Sequence, residues 1–174
     1  MKRTTLALFL LLLTSCAPST KETVGKVVSC APIQTQLDAK GIQLECLDGG
    51  KGASLNLLRG PMIINVWGSW CGPCKEEIPI FRSFYEKVKG KLQLLGVDVE
   101  EASINDGRDF VLKNGITWPN LFDSDGRSRA YFGMGVPVTW FIASNGRVQY
   151  KKIGAIKNET ELIALTSKYL GVNL

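Results

Sequence analysis

The 174-residue chain contains no histidine. That absence excludes Ser-His and Cys-His catalysis, histidine-liganded zinc and haem ligation by histidine. The chain also lacks any block of five or more basic residues. Lys plus Arg is 21 against 16 for Asp plus Glu, a formal charge of +5, and two of the cations, Lys2 and Arg3, sit at the extreme N-terminus. So mild and dispersed an excess is no nucleic-acid footprint. Beyond residue 13 no apolar run approaches the roughly 20 residues that span a bilayer. Internal repeats and low-complexity segments are missing too. With 45% hydrophobic and 21% charged residues, disorder, collagen-like repeats and a coiled coil are excluded, and the length suits one domain with its own core.

What is present begins with a leader. Met1-Lys2-Arg3-Thr4-Thr5 precedes an uninterrupted apolar run, Leu6 to Leu13. A basic start and a short apolar core read as a signal peptide over residues 1–15 rather than a membrane span. The run ends in Leu13-Thr14-Ser15-Cys16, which resembles the bacterial lipobox. That resemblance implies cleavage before Cys16 and a diacylglycerol on its sulfur, hence an extracytoplasmic protein lipid-anchored to the bacterial cell membrane. The alternative is ordinary cleavage nearby, with Cys16 left as a free thiol. Residues 16–29 are mostly small and polar and read as a lipid-anchored tether, leaving 30–174 as the folded domain.

Five cysteines are present, at 16, 30, 46, 71 and 74. Setting Cys16 aside leaves an even number in an exported chain. Cys71 and Cys74 form a close pair, so Cys30 and Cys46 are left for each other. Their bond would close a loop of about 15 residues and contribute about 3 kcal/mol by restricting the unfolded chain. A second redox centre relaying electrons to Cys71 is the functional alternative. A four-cysteine zinc site is disfavoured, since only one pair has short ligand spacing.

From about residue 42 short apolar strands alternate with amphipathic helices. Gly41–Leu47 and Ala53–Leu57 flank the turn Asp48-Gly49-Gly50 and predict a hairpin. Met62 to Trp67 is an almost continuous apolar run that suits a buried central strand. Ile78, Phe81, Phe84, Tyr85 and Val88 recur at helical spacing over 71–89, with Pro79 inside as an expected kink and Gly90 as the stop. Leu92–Val99 is a second central strand. Residues 103–114 and 127–133 are predicted helices, 138–143 and 147–153 strands around the turn Ser144-Asn145-Gly146, and 160–170 a closing helix. The expected class is α/β, a mixed central sheet flanked by helices with an N-terminal hairpin extension.

Chemistry concentrates in Trp67-Gly68-Ser69-Trp70-Cys71-Gly72-Pro73-Cys74-Lys75-Glu76-Glu77. A strand runs into this stretch and a helix runs out, which places Cys71 at a helix N-terminus. There unpaired N–H groups and the helix dipole stabilise a thiolate, the attacking species in disulfide exchange. Cys71 is therefore the expected nucleophile, and Cys74, one turn deeper, the resolving thiol.

The Trp-Cys-Gly-Pro-Cys-Lys run resembles thioredoxin. Through Glu77-Ile78-Pro79 it resembles more closely the TlpA/ResA group of extracytoplasmic thiol-disulfide oxidoreductases. A second landmark, Gly135-Val136-Pro137-Val138-Thr139-Trp140, follows with Pro137 63 residues after Cys74. The resemblance implies a thioredoxin-like fold, with Pro137 a cis-proline beside the dithiol and Val136 offering its backbone to an extended substrate. Read without it, Pro137 is a loop proline that starts a strand. Trp67, Trp70, Val136 and Phe132 are candidates for an apolar lining or for core. Trp70, Gly72, Pro73 and Val136 make up the expected substrate face. Trp118-Pro119 to Gly126 reads as a family insertion.

Where thioredoxin has a buried Asp, two residues before the tryptophan matching Trp67, this chain has Asn65, which cannot take a proton. The TlpA/ResA resemblance assigns an acid to Glu77 instead. On the residues alone, Glu77 reads equally as a solvated charge beside Lys75 and Glu76. The resemblance further implies reduction of protein disulfides in exported clients, apocytochrome c among them, with electrons from a membrane thiol donor. No cofactor beyond the Cys71/Cys74 pair and no metal is expected. A disulfide oxidase or isomerase is the alternative within redox enzymes, and a metal-binding lipoprotein is the alternative outside them.

Overall fold

Seven strands and four helices make up the described part of the computed structural model, residues 24–33, 41–133 and 135–174. The expected leader 1–15, the expected lipidation site Cys16 and the first part of the expected tether lie outside the described residues. The sheet is built around β3 (Met62–Trp67), all six of whose residues are buried. A strand covered on both faces needs no polar alternation, hence its continuous apolar spelling. Parallel to it runs β4 (Gln93–Val99), and antiparallel on the other side β6 (Val138–Ile142), itself edged by antiparallel β7 (Val148–Ile153). Outside β4 come parallel β5 (Asn120–Asp123), then antiparallel β1 (Gln43–Cys46) and β2 (Ala53–Ser54). The order is β2-β1-β5-β4-β3-β6-β7, the mixed sheet that the sequence predicts.

Period-two alternation divides the core between the two faces of this sheet. Ile64, Val66, Leu95 and Val97 pack on one face with Trp140 and Phe132. Ile63 and Trp67 pack on the other with Phe81 and Phe84 of α1 (Gly72–Val88), Phe110 of α2 (Ile104–Lys113) and Leu162 of α4 (Glu159–Leu170). Asn65 shares the parity of Ile63 and Trp67, so the one polar residue of β3 is directed at the α1 side.

Three segments differ from the sequence reading. The stretch read as an insertion contains β5, which sits between β4 and β1. The N-terminal hairpin therefore continues the central sheet instead of standing apart from it. Asn-Leu-Phe-Asp is too short and too polar at its ends to show a period. Its strand state comes from pairing on both sides. The tether also ends earlier than expected. Gly25 N–H donates to Leu112 O (2.9 Å) and Lys26 N–H to Ile116 O (2.8 Å). A side chain at residue 25 would place its Cβ 1.9 Å from the Val111 carbonyl oxygen, so only glycine permits this docking.

The second strand of the hairpin, expected over 53–57, stops at Ser54, and Leu55–Leu57 turns into a short 3-10 helix that buries Leu55. The remaining elements fall within one or two residues of their expected bounds. α1 runs on through Pro79 to Val88, and Lys89 and Gly90 end it, Gly90 at φ 88°. α2 is capped by Ser103, whose hydroxyl accepts from Asn105 N–H (3.1 Å), and α4 by Asn158. The short α3 spans Arg129–Phe132. Both Val136–Pro137 and Gly60–Pro61 are cis; the second had no sequence signal.

Candidate active site

Cys71 is the N-cap of α1. Its sulfur accepts a hydrogen bond from Cys74 N–H at 3.1 Å, and Cys71 N–H closes the preceding turn on Gly68 O (3.0 Å). Pro73 in the first helical turn costs nothing, because that turn's N–H groups have no intrahelical acceptor. The two sulfurs are bonded (S–S 2.01 Å, Cα–Cα 5.3 Å). Cys71 keeps 5% of its surface exposed and Cys74 none. Gly72 and Pro73 are exposed above them. The first cysteine is thus the one an incoming sulfur can reach, and it lies where the helix dipole favours its thiolate.

Beside the disulfide is a small groove lined by Trp70, Val99, Glu100, Arg129, Phe132 and Val136, among others. Trp70 is 54% exposed yet held in place, its indole N–H donating to Val99 O at 3.3 Å. Val136 is half-buried and packs against the cluster that contains both cysteines, and Pro137 behind it is buried. Arg129 and Glu100 form an ion pair at 2.5 Å on the groove's wall. Of the four apolar candidates, Trp67 does not line the groove. It is fully buried, stacked on Phe110 (ring centroids 4.6 Å), and its indole N–H donates to Asn120 Oδ1 at 3.0 Å.

Glu77 is buried beneath the disulfide's helix, while its neighbours Lys75 and Glu76 are exposed. The solvated alternative is thereby ruled out. Asn65 Nδ2 donates to one carboxylate oxygen (2.7 Å) and Ile156 N–H to the other (2.8 Å). Burial pushes the Glu77 pKa up to about 7, against the pull of these two donors and of Lys152. Neither partner was legible in advance. Ile156 lies in the β7–α4 loop, 79 residues away, and Asn65 stands on a strand whose other residues are apolar.

Cys30 and Cys46 are bonded to each other (S–S 2.04 Å, Cα–Cα 5.8 Å), both buried, on the face of the sheet opposite α1. They join the docked N-terminal segment to β1.

A second pair of acids was missed. Asp98 is fully buried in β4, and burial first, then the neighbouring Glu101 carboxyl, raises its pKa to about 9. Glu101 in turn accepts hydrogen bonds from Ser69 N–H and, at 2.8 Å, from Ser69 Oγ. A charged residue within Leu-Leu-Gly-Val-Asp-Val was the available signal.

A cysteine pair at the start of the helix following a central strand, with a cis-proline strand end close by, defines a thioredoxin-like dithiol protein. The chain belongs to the AhpC/TSA family, whose pattern it matches over residues 35–151. It is 32% identical over 124 residues to thiol-disulfide oxidoreductase ResA of Bacillus thuringiensis (strain Al Hakam), an alignment covering 70% of this chain and 65% of that one. To the protein of the same name in Geobacillus thermodenitrificans (strain NG80-2) it is 31% identical over 143 residues, 80% of this chain and 76% of the relative. Among solved structures it is similar to StoA from Bacillus subtilis, with 26% identity, a TM-score of 0.58, and coverage of 70% of this chain and 92% of that one.

Proposed function

We propose that this protein is an extracytoplasmic thiol-disulfide oxidoreductase, lipid-anchored to the bacterial cell membrane through Cys16, that reduces disulfides in exported proteins. The observation that carries the reading is the Cys71–Cys74 disulfide at the N-terminus of α1, with only Cys71 reachable from outside. The names of the curated relatives support the activity class. The leader and the lipobox-like Leu13–Cys16 support the location.

In the reduced protein, Cys71 thiolate attacks one sulfur of a client disulfide. The client's other sulfur leaves as a thiolate, and a mixed disulfide remains. Cys74 then loses its proton and attacks Cys71 Sγ. The second client thiol is released and the Cys71–Cys74 bond forms, so two electrons have passed to the client. Glu77 is the acceptor of the Cys74 proton, and a carboxyl titrating near neutrality suits that task. The client lies along the groove, with its backbone paired to Val136 and its side chains against Trp70. A membrane thiol donor restores the dithiol, and apocytochrome c is the client class that the family resemblance names.

Direction is decided by potential. Equilibration with glutathione should place the Cys71/Cys74 couple well below that of strong oxidases such as DsbA, about −120 mV. A couple near that oxidising value would replace the reductase with the disulfide oxidase.

A further inference from the structure

The groove beside the disulfide carries a backbone outlier and a half-used cation. Glu100, the residue after β4, stands at φ 59°, the only non-glycine residue with a positive φ among the described residues. Its N–H donates to Asp123 O (3.0 Å), a bond that glycine would make as well and without the steric cost of a side chain in this region. A side chain is thus kept here against a backbone penalty, and such outliers collect at active sites and ligand clamps. The Glu100 side chain holds Arg129 of α3. Its Oε1 accepts from Arg129 Nε at 2.5 Å, which fixes the guanidinium by its inner edge.

That bond engages Nε alone. Among the described residues no acceptor meets either Nη of Arg129, whose side chain is 48% exposed and lines the groove with Trp70, Phe132 and Val136. The neighbouring acids are engaged elsewhere. Glu101 accepts from Ser69 N–H and Oγ, Asp123 from Arg127 N–H (3.1 Å) and Ser128 N–H (2.9 Å), and Asp125 pairs with the Arg127 guanidinium (2.7 Å). Glu100 Oε2 has no donor, but the charge of Glu100 is already offset by Arg129. The capacity left open on this wall is therefore a planar, pre-oriented set of donors, the geometry that a carboxylate fits bidentately.

We propose that Arg129, oriented by Glu100, is a specificity-determining residue: its outer edge pairs with an acidic side chain of the client polypeptide near the cysteine that Cys71 attacks. The protein then favours exported clients that carry Asp or Glu beside their disulfide. This rests on the reading of the groove as the client's seat and adds the chemistry by which a client is chosen.

The test mixes the reduced full-length protein with peptide disulfides that differ in one residue, Asp, Asn or Lys, placed in turn at each position flanking the cysteine. At a favoured position Asp should raise kcat/KM about fivefold over Asn, the upper end for an exposed ion pair, mainly through KM, and Lys should lower it. The advantage should shrink with added salt. It should vanish in Arg129→Gln and survive only in part in Arg129→Lys, which keeps the charge and loses the fork. Glu100→Gly removes the backbone penalty together with the clamp, so its Tm should hold or rise while the preference for Asp falls. Asp peptides no better than Asn peptides at every position, or an advantage that persists in Arg129→Gln, would overturn the role of Arg129. A preference undiminished in Glu100→Gly would overturn the clamp. Serine analogues of the same peptides, titrated calorimetrically into the disulfide form, should show the same order of Kd without any exchange. A protein that exchanges no disulfide yet binds the Asp analogue more tightly would sink the functional reading alone. One that exchanges with all the peptides at equal rates and binds their analogues equally would sink the specificity alone.

Discussion

The side-chain amide of Asn65, on the central strand β3, donates at 2.7 Å to the carboxylate of Glu77, on the helix that begins at Cys71. A neutral donor stands on the strand and the ionisable group sits on the helix. The acid is thereby buried close to the dithiol and held ready to exchange a proton near neutral pH.

That placement has a cost that pH reveals. The folded chain holds the Glu77 proton more tightly than the unfolded chain does. Its contribution to stability is therefore complete below about 4.5 and is lost as pH rises to about 7. The loss is on the order of 3 kcal/mol. Denaturant unfolding of Glu77→Gln should consequently fall less steeply with pH over this window than the wild type. In the reduced protein the same variant should shift the thiol titrations downward and slow exchange near neutrality. Parallel stability curves for the two proteins would remove the acid role.

Cys71 is the more accessible member of its pair, 5% exposed against none for Cys74, and sits at the N-terminus of α1. Alkylation of the reduced protein at mildly acidic pH should label Cys71 before Cys74, as peptide mass mapping would report. Cys74→Ser should accumulate a mixed disulfide on Cys71. Labelling of Cys74 first would reverse the two roles.

The Cys30–Cys46 bond is buried and ties the segment docked through Gly25 and Lys26 to β1. Mild reductant should open Cys71–Cys74 and leave it intact. Replacing both Cys30 and Cys46 by Ala should lower the unfolding free energy by about 3 kcal/mol with turnover retained. Lost turnover at unchanged stability would make the pair a relay.

Gly96 of β4 leaves room for the hydrogen bond between Trp67 and Asn120. A Cβ there would stand 1.7 Å from Asn120 Oδ1 and 2.8 Å from Trp67 Nε1. Gly96→Ala should destabilise by roughly 2 kcal/mol or more, through overpacking and an orphaned indole N–H. Thermal unfolding measures it, and an unchanged Tm would show that the site repacks freely.

Much of the chemistry could be read from the chain because it is local. Helix placement, the cysteine spacing and the strand-to-helix junction all lie within Trp67 to Glu77, and a helix N-terminus acts on whatever residue begins it. The alternation of Ile63, Asn65 and Trp67 against Ile64 and Val66 likewise follows from the pleat alone. Tertiary packing decided the rest. β5 exists because β4 and β1 both offer it a ladder. Trp67 is core because Phe110 and Asn120 cover it. Glu77 is an acid near neutrality because packing buries it, a rise that the donors Asn65 and Ile156, brought from distant parts of the chain, only partly oppose. Asp98 holds a proton because α2 lays Gly107 across its carboxyl. Burial and partner count are sums over residues far apart in sequence, and those sums set each group's protonation.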